Sequence, residues 1–382
     1  MTKIIFIITG LGSGGAEQIL YSMLKHIDKE NLKPVVISMT TSGYWGEHIK
    51  ELGITVISLR MKRSAIINGM IDLNKIIKKI EPDIIHAWMY DACLLSLLHK
   101  KFFKPDYRLI LGLHHSLSKL NQESRKFKIV NWVCKILSMK ADCIQYVSSK
   151  VRDEHEKYGY SSKNSVVIEN GIDVNKFKPI LLEQKNVLKK DKLFPLILSK
   201  ETIVIGMFAR YHPIKNHLLF FDIAEYLVQN YTEYDWAFVL CGMGCSEDNI
   251  KLKKLLKKKD IYNRFKLFGE VDTPIYYGLL DLLLCTSLAE SFGLTIVEAL
   301  ASDVPVVSLD VGEASNILCS EGYGLIVSAG GSNLVKQFSR SCVRVISENW
   351  EDSNHTRREF VLQKYSIGKL ANEYAELYEI EK

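Results

Sequence analysis

The sequence predicts an α/β protein built from two doubly wound domains, each a parallel sheet with helices on its faces, and three observations carry that prediction. The chain is 382 residues long, and at ~100–200 residues per domain that suggests two. Short β-branched runs alternate with amphipathic stretches through its first 170 residues, which is the rhythm of β-α units and therefore of a parallel sheet. The rhythm stops over Lys176–Lys200, a lysine-rich stretch without strand alternation that holds Pro179 and Pro195, and it restarts at Thr202.

In chain order, strands are expected over Lys3–Thr9, Pro34–Met39, Thr55–Leu59, Asp83–His86, Arg108–Leu113, Asp142–Val147 and Ser165–Glu169, each a short apolar run. Helices are expected over Ala16–Ile27, Ile66–Ile80, Ala92–Lys101, Ser124–Ser138 and Ser149–Tyr158, where apolar residues recur three and four apart. Beyond the linker the expected strands are Thr202–Ala209, Trp236–Cys241, Phe265–Phe268, Leu282–Cys285, Pro305–Ser308 and Gly324–Val327. Ligands in such sheets lie outside the carboxyl ends of the strands, so the residues that follow each strand are the candidates for function.

Composition narrows the field. Hydrophobic residues make up 47% and charged residues 25%, which excludes disordered and collagen-like chains. The longest apolar runs, such as Ile4 to Thr9, are far shorter than the ~18–20 residues of a spanning helix. The N-terminus has no secretory pattern, so a cytoplasmic protein is expected. Eight cysteines are scattered through apolar segments, and Cys241 and Cys245 form one close pair without a second pair or a neighbouring histidine in sequence. That is a poor zinc site, and buried thiols are expected instead.

The net charge of +6 is unevenly spread: residues 1–180 carry 27 Lys and Arg against 17 Asp and Glu, a balance of +10, while residues 181–382 carry 23 against 27. The first half is thus suited to an anionic partner, whether nucleic acid, phospholipid or a pyrophosphate-bearing substrate, unless the lysines serve solubility alone.

The first strand runs into Gly10-Leu11-Gly12-Ser13-Gly14-Gly15 and then a helix, which satisfies the dinucleotide-binding pattern in the right context. A nicotinamide site also needs an acidic residue at the end of the second strand, and Ser38 to Ser42 offers none. The dehydrogenase reading is therefore set aside. What remains is physical: Gly12, Gly14 and Gly15 let a ligand approach the backbone, and a helix N-terminus favours an anion.

A second group of candidates lies downstream. Arg210 ends the strand Thr202–Ala209, and Lys215 follows on a loop that opens the next helix. An arginine fork and a lysine point charge together suit a diphosphate. After Leu282–Cys285 comes Glu290-Ser291-Phe292-Gly293-Leu294-Thr295, where a loop becomes a helix, so free backbone N–H groups can take a phosphate. Glu298 falls inside the otherwise apolar helix and needs a partner for its carboxylate, which makes it a candidate for gripping hydroxyls.

Glu290 and Glu298 form an E-x7-E pattern preceded by Arg210 and Lys215, and this resembles the retaining, nucleotide-sugar-dependent family 4 glycosyltransferases of the GT-B fold. The likeness runs nearly end to end. Gly14-Gly15-Ala16-Glu17 resembles the family's glycine loop, His86 to Tyr90 a strand-end segment, and His115-Ser116 the active-site histidine. Asn170 to Asp173 resembles the entry to the interdomain segment, and Tyr365 to Tyr378 the terminal helix that crosses back to the first domain.

The resemblance implies two Rossmann-like domains facing a central cleft. An acceptor-binding domain over 1–178 would be joined by the C-terminal helix 366–382, and a nucleotide-sugar-binding domain would span 179–365. It implies that Arg210 and Lys215 neutralise the donor diphosphate, that Glu298 binds the ribose, and that Glu290 sits beside the sugar. It implies further that Gly269, Glu270 and Val271 contact the base and that His115, taken over its neighbour His114, contacts the donor sugar. No Asp-x-Asp is present, and no metal or other cofactor is expected. Front-face attack and double displacement through a carboxylate both stay open.

The implied function is transfer of a sugar, with retention, from a nucleoside diphosphate sugar to a glycan, most simply a lipid-linked intermediate of bacterial O-antigen or capsule. The alternative is an idle relative that assists assembly at a membrane, against which the intact Arg210, Lys215, Glu290 and Glu298 argue. The segment Arg125–Leu137 mixes cations with aromatic and apolar residues at helical spacing, and it reads either as a helix resting on anionic lipid at the inner face of the membrane or as a core-packed helix with a solvated face. Lys251–Lys259 reads as a surface helix. Nucleic-acid binding finds no recognition motif.

Overall fold

A computed structural model describes the chain except for residues 13, 62–65, 194–200, 321, 331–332, 349, 351–355 and 380–382. Ser13 of the glycine loop, Pro195 of the expected linker and the last three residues of the expected terminal helix therefore lie outside the described residues.

In chain order the elements are β1 (Thr2–Ile8), α1 (Gly15–His26), β2 (Leu32–Ser38), α2 (Gly43–Glu51), β3 (Thr55–Ser58), α3 (Ile66–Ile80), β4 (Ile84–Trp88), α4 (Tyr90–Phe103), β5 (Arg108–Leu113), α5 (Arg125–Leu137), β6 (Cys143–Tyr146), α6 (Ser149–Tyr158) and β7 (Ser165–Val167). They continue with α7 (Leu182–Leu188), β8 (Ile203–Phe208), α8 (His217–Asn230), β9 (Trp236–Cys241), α9 (Ile250–Lys258), β10 (Phe265–Gly269), α10 (Pro274–Gly278), β11 (Leu282–Cys285) and α11 (Leu294–Ala301). The last are β12 (Val306–Leu309), α12 (Ala314–Ile317), β13 (Gly324–Val327), α13 (Leu334–Ser347), α14 (Thr356–Lys364) and α15 (Ile367–Tyr378).

These elements form two compact units, Met1–Gly171 with Ile367–Lys382 and, separately, Ile172–Ser366. The first holds a seven-stranded parallel sheet in the order β3-β2-β1-β4-β5-β6-β7, the second a six-stranded parallel sheet in the order β10-β9-β8-β11-β12-β13. In each sheet the chain winds outward one way and then resumes on the other side, so the reversal falls between β1 and β4 in the first and between β8 and β11 in the second. Ligands of doubly wound sheets sit at that reversal.

Local sequence explains most elements. The central strands are continuous apolar runs because helices cover both faces; Ile4 to Ile8 of β1 and Trp236 to Cys241 of β9 are all buried. Ser124 caps α5 by accepting from Phe127 N at 3.2 Å, and Ser148 caps α6 by accepting from Val151 N at 3.1 Å, each worth about 1 kcal/mol. α9 buries Leu252 and Leu256 and turns its lysines outward, as a surface helix should.

Two expectations need correction. α2 was not expected, because Gly43-Tyr-Trp-Gly carries no apolar periodicity; the helix forms because it packs on the first loop, where Trp45 N donates to Leu11 O at 2.9 Å. The stretch Lys176–Lys200 is also more than a linker. Its described part contains α7, and Lys185 and Lys189 reach Asp281 at 2.9 and 2.6 Å. Burial raises the Asp281 carboxyl's pKa, but Lys185, Lys189 and the Val204 N–H outweigh burial and hold it below the usual range. The lysine-rich composition serves this anchored ion cluster.

α15 belongs to the first unit. Tyr374 and Tyr378 are buried, the Tyr378 hydroxyl hydrogen-bonds His86 Nδ1 at 2.8 Å, and Arg108 donates to Leu377 O at 2.7 Å. No helix among the described residues is long and apolar enough to cross a membrane.

Candidate functional site

In the second unit, the loops after β8, β9, β10 and β11 converge at the carboxyl ends of their strands. β8 ends two residues before Arg210, whose side chain is exposed. The loop after β9 pins this turn: Ala209 N donates to Cys241 O and Tyr211 N to Met243 O, both at 2.8 Å. Gly242 has φ +135, and a Cβ there would lie 2.3 Å from Ala209 O, so only glycine allows the approach.

Lys215 ends a short turn opened by His212, whose ring accepts from Ile214 N at 3.3 Å. Its ammonium meets Glu290 Oε1 at 2.6 Å, both side chains about four-fifths hidden. The fully buried Thr286 donates to Lys215 O and Asn216 O at 3.1 and 3.2 Å, and Leu288 N donates to Ile214 O at 2.7 Å. The cation's loop and the loop of Glu290 are thus stitched together. Thr286 and Gly242 escaped the sequence reading because a positioning residue carries no charge that would mark it.

Beyond Glu290 the chain passes Ser291 and the buried Phe292 and enters α11 through Gly293 at φ +120. Gly312 lets its own loop close on this turn; a Cβ there would lie 2.6 Å from Phe292 O and 3.0 Å from Glu290 Cβ. α11 has no side-chain cap, which leaves the N–H groups of Leu294 and Thr295 pointing out of the helix start. One turn on, Glu298 Oε2 accepts from the buried Tyr277 hydroxyl at 2.6 Å. Burial raises the Glu298 pKa to about 7, and the Tyr277 hydrogen bond only partly opposes this. Glu290 thus lies in a loop and Glu298 in a helix, at separate positions. Gly269, at φ +70, ends β10 and donates to Cys245 O, with Glu270 and Val271 following towards the surface.

His217 lies 3.6 Å from Cys245 Sγ, so the fold supplies the histidine neighbour that the local sequence lacks. Among the described residues no group of three or more His, Cys, Asp and Glu side chains could hold a metal ion. A cavity of about 410 Å³ at the opposite, amino end of this sheet is lined by Lys185, Asp281, Asp303 and Arg357. Those charges pair with one another, and the cavity lies away from the converging loops.

In the first unit, Gly12 is exposed, Gly14 precedes α1 and Gly15 begins it. A Cβ at Gly14 would lie 2.2 Å from Glu17 Oε2. The carboxylate of Glu17 therefore folds over the helix start, where an incoming anion was expected. The two histidines after β5 diverge. His115 Nε2 pairs with Glu123 at 3.0 Å and its ring meets Phe127, whereas His114 is buried, stacks on Trp88 at 4.3 Å, and leaves its Nε2 without a hydrogen-bond partner.

Comparison with known proteins bears on this geometry. The family model described as Glycosyltransferase Family 4 matches residues 13–176, and the one described as Glycosyl transferases group 1 matches residues 189–359. The UDP-Gal:alpha-D-GlcNAc-diphosphoundecaprenol alpha-1,3-galactosyltransferase of Escherichia coli is 25% identical over 81% of this chain and 78% of its own length. The capsular polysaccharide biosynthesis glycosyltransferase CapH of Staphylococcus aureus is 23% identical over 83% of this chain and 84% of its own. The crystal structure of Anabaena Alr3699/HepE in complex with UDP superimposes with a TM-score of 0.81 at 20% identity, covering 98% of this chain and 99% of that one.

Proposed function

The chain belongs to the group 1 glycosyltransferases of the GT-B fold, and from that premise we propose that it transfers a sugar, with retention, from a nucleoside diphosphate sugar to a lipid-linked glycan in bacterial surface polysaccharide synthesis. One observation carries this reading: Lys215, after β8, pairs with Glu290, after β11. The loops that follow the two strands at the reversal of the second sheet are thereby tied together, near in sequence to Arg210 and to the uncapped start of α11, which carries Glu298. The diphosphate takes Arg210, Lys215 and the N–H groups of Leu294 and Thr295. Glu298 takes the ribose hydroxyls, Glu290 the donor sugar, and the backbone at Gly269, Glu270 and Val271 the base. The UDP held by the Anabaena relative supports a uridine nucleotide, and the diphosphoundecaprenol named for the Escherichia coli relative supports the lipid-linked acceptor.

In the proposed chemistry the acceptor hydroxyl approaches the sugar's anomeric carbon from the face that the diphosphate leaves. The carbon–oxygen bond breaks with its electron pair going to the phosphate oxygen, and that oxygen takes the acceptor's proton. Arg210 and Lys215 stabilise the growing negative charge without a metal. Lys215 is already aimed, since its loop is tied to that of Glu290. In the first unit, which we assign to the acceptor, a histidine that contacts the transferring sugar needs an uncommitted nitrogen. The Nε2 of His115 is engaged by Glu123 and that of His114 is not, so both are carried forward and separated by His114→Ala against His115→Ala turnover.

The outward face of α5 supports a peripheral station on anionic lipid. Ile129, Trp132 and Ile136 recur along it at 63%, 52% and 53% exposure, beside the exposed Arg125 and Lys140, a pattern that suits an interfacial helix.

The test is a thermal-shift panel of nucleoside diphosphates and their sugars, since a ligand at 100 times its Kd stabilises by about 2.7 kcal/mol. A uridine nucleotide should raise Tm and Arg210→Ala should abolish the rise. No stabilisation by any member overturns the reading.

A further inference from the structure

We propose that Tyr44, Trp45 and His48 of α2, with Tyr21 and Glu17 of α1, form a platform that stacks on a neutral pyranose ring of the glycan acceptor. The proposal rests on the reading that this chain transfers sugar to a glycan, and it assigns a site and a ligand class to residues that the donor machinery does not use.

The aromatic rings form one contiguous array. Tyr21 and Trp45 stack with centroids 4.8 Å apart and planes 28° apart, and Tyr44 meets Trp45 edge-on at 5.0 Å and His48 at 4.7 Å. Tyr44 is 60% exposed. A core aromatic would be hidden, whereas this ring is fixed by its neighbours and still open to solvent. The array is held at the glycine loop: Trp45 N donates to Leu11 O, and Gly43, at φ +55, allows this close approach, since a Cβ there would lie 2.4 Å from Leu11 O. It therefore stands by the carboxyl end of β1, on one side of the strand-order reversal of the first sheet, where ligands of such sheets bind.

The chemistry around the array selects its occupant. A pyranose ring presents a face of weakly positive C–H groups to the negative face of an aromatic ring, and its hydroxyls need acceptors. Glu17 lies one helical turn before Tyr21, so the two share a face of α1, and its half-buried carboxylate sits at the loop. Burial raises its pKa, the mark of an acid held partly out of water. The charged residues of α2 are Glu47, Lys50 and Glu51; Lys50 pairs with Glu47 at 2.9 Å and His48 Nδ1 meets Glu51 at 3.1 Å. Glu17, Glu47 and Glu51 set against Lys50 and the exposed Lys25, one turn beyond Tyr21, leave an excess of negative charge that disfavours a phosphate or an anionic lipid headgroup and favours a neutral sugar.

The experiment is saturation-transfer NMR on the full chain with the methyl glycosides of glucose, galactose and N-acetylglucosamine, probes that carry no lipid tail and no phosphate. We expect transfer strongest to ring C–H protons, reduced at least threefold by Tyr44→Ala, retained by Tyr44→Phe, and retained by Glu290→Ala, which separates this platform from the donor's own sugar position. No transfer from any of the three glycosides, or transfer indifferent to Tyr44→Ala, overturns the proposal. So does loss of vesicle binding in Tyr44→Ala with glycoside binding intact. Nucleoside diphosphate thermal shifts, recorded on the same variants, report on the second unit alone; if they fail in wild type the donor reading fails while the platform is judged on its own spectra.

Discussion

At the scale of single residues, the site divides into parts with different expected losses. Arg210→Ala and Lys215→Ala should each lower turnover by about 10²–10³, the usual loss of a transition-state charge donor; near-wild-type turnover in either would remove it from the mechanism. Glu298→Ala should weaken a bare nucleoside diphosphate, whereas Glu290→Ala should leave that affinity nearly unchanged and lower kcat. Calorimetry with the diphosphate decides, and equal losses of affinity would contradict the division. Glu298 also predicts a pH dependence. Its pKa is raised to about 7 from 4.5, so ionisation opposes folding: the penalty is absent below pH 4.5, grows as pH rises between the two values, and is complete above about 7. Glu298→Gln should therefore raise Tm more at pH 8 than at pH 5. In wild type the nucleotide should bind more tightly as the carboxylate ionises and gains acceptor capacity, and the part of that slope which vanishes in Glu298→Gln belongs to this residue. Identical Tm differences at both pH values would refute the assignment.

At the scale of elements, α5 changes what a membrane test should alter. Lys126 is paired with Asp91 at 3.1 Å and Lys128 donates to Asn121 O at 2.7 Å, so reversing those charges would disturb the fold as well as any lipid contact. The outward residues are Ile129, Trp132 and Ile136. Trp132→Ala should reduce sedimentation with anionic vesicles several-fold and leave nucleotide thermal shifts unchanged, and binding to anionic vesicles should weaken with salt because exposed charges are screened over about 8–10 Å. Recovery independent of both the tryptophan and the salt would count against this face. α7 makes a second case. Lys189→Ala would leave the part-buried Asp281 with Lys185 alone, so a loss of stability below the about 3–5 kcal/mol of a fully broken buried ion pair is expected; a denaturation midpoint unchanged in Lys189→Ala would mean that the stretch is a linker after all.

At the scale of the whole molecule, each unit has its own core, and unfolding is expected in two transitions rather than one. Tyr374→Ala, which removes a fully buried ring of α15 from the first unit, should lower one transition by about 3–5 kcal/mol and leave the nucleotide-sensitive one in place; calorimetry that shows both shifting together would contradict this independence. What could be read from the sequence follows from what acts locally. Strands and most helices declare themselves because burial on both faces makes β1 or β9 an unbroken apolar run. Glu298 declares itself because a carboxylate inside an apolar helix is costly without a partner, and Arg210, Lys215 and Glu290 stand out as charges that follow strands at the end of the sheet where ligands bind. α2 did not, since its helix depends on packing against Leu11, and the aromatic array on it exists only because α1 and α2 meet. Thr286, Gly242 and Tyr277 are chemically ordinary residues that gain a role from partners many positions away. The two doubly wound sheets and the charged candidates were legible in the chain before it was folded, because periodicity and charge are properties of short segments. That Lys215 pairs with Glu290, that Tyr277 holds Glu298, and that His115 Nε2 meets Glu123 while His114 Nε2 has no hydrogen-bond partner came from the folded molecule, because hydrogen bonds and burial depend on which distant segments the fold brings within a few ångströms.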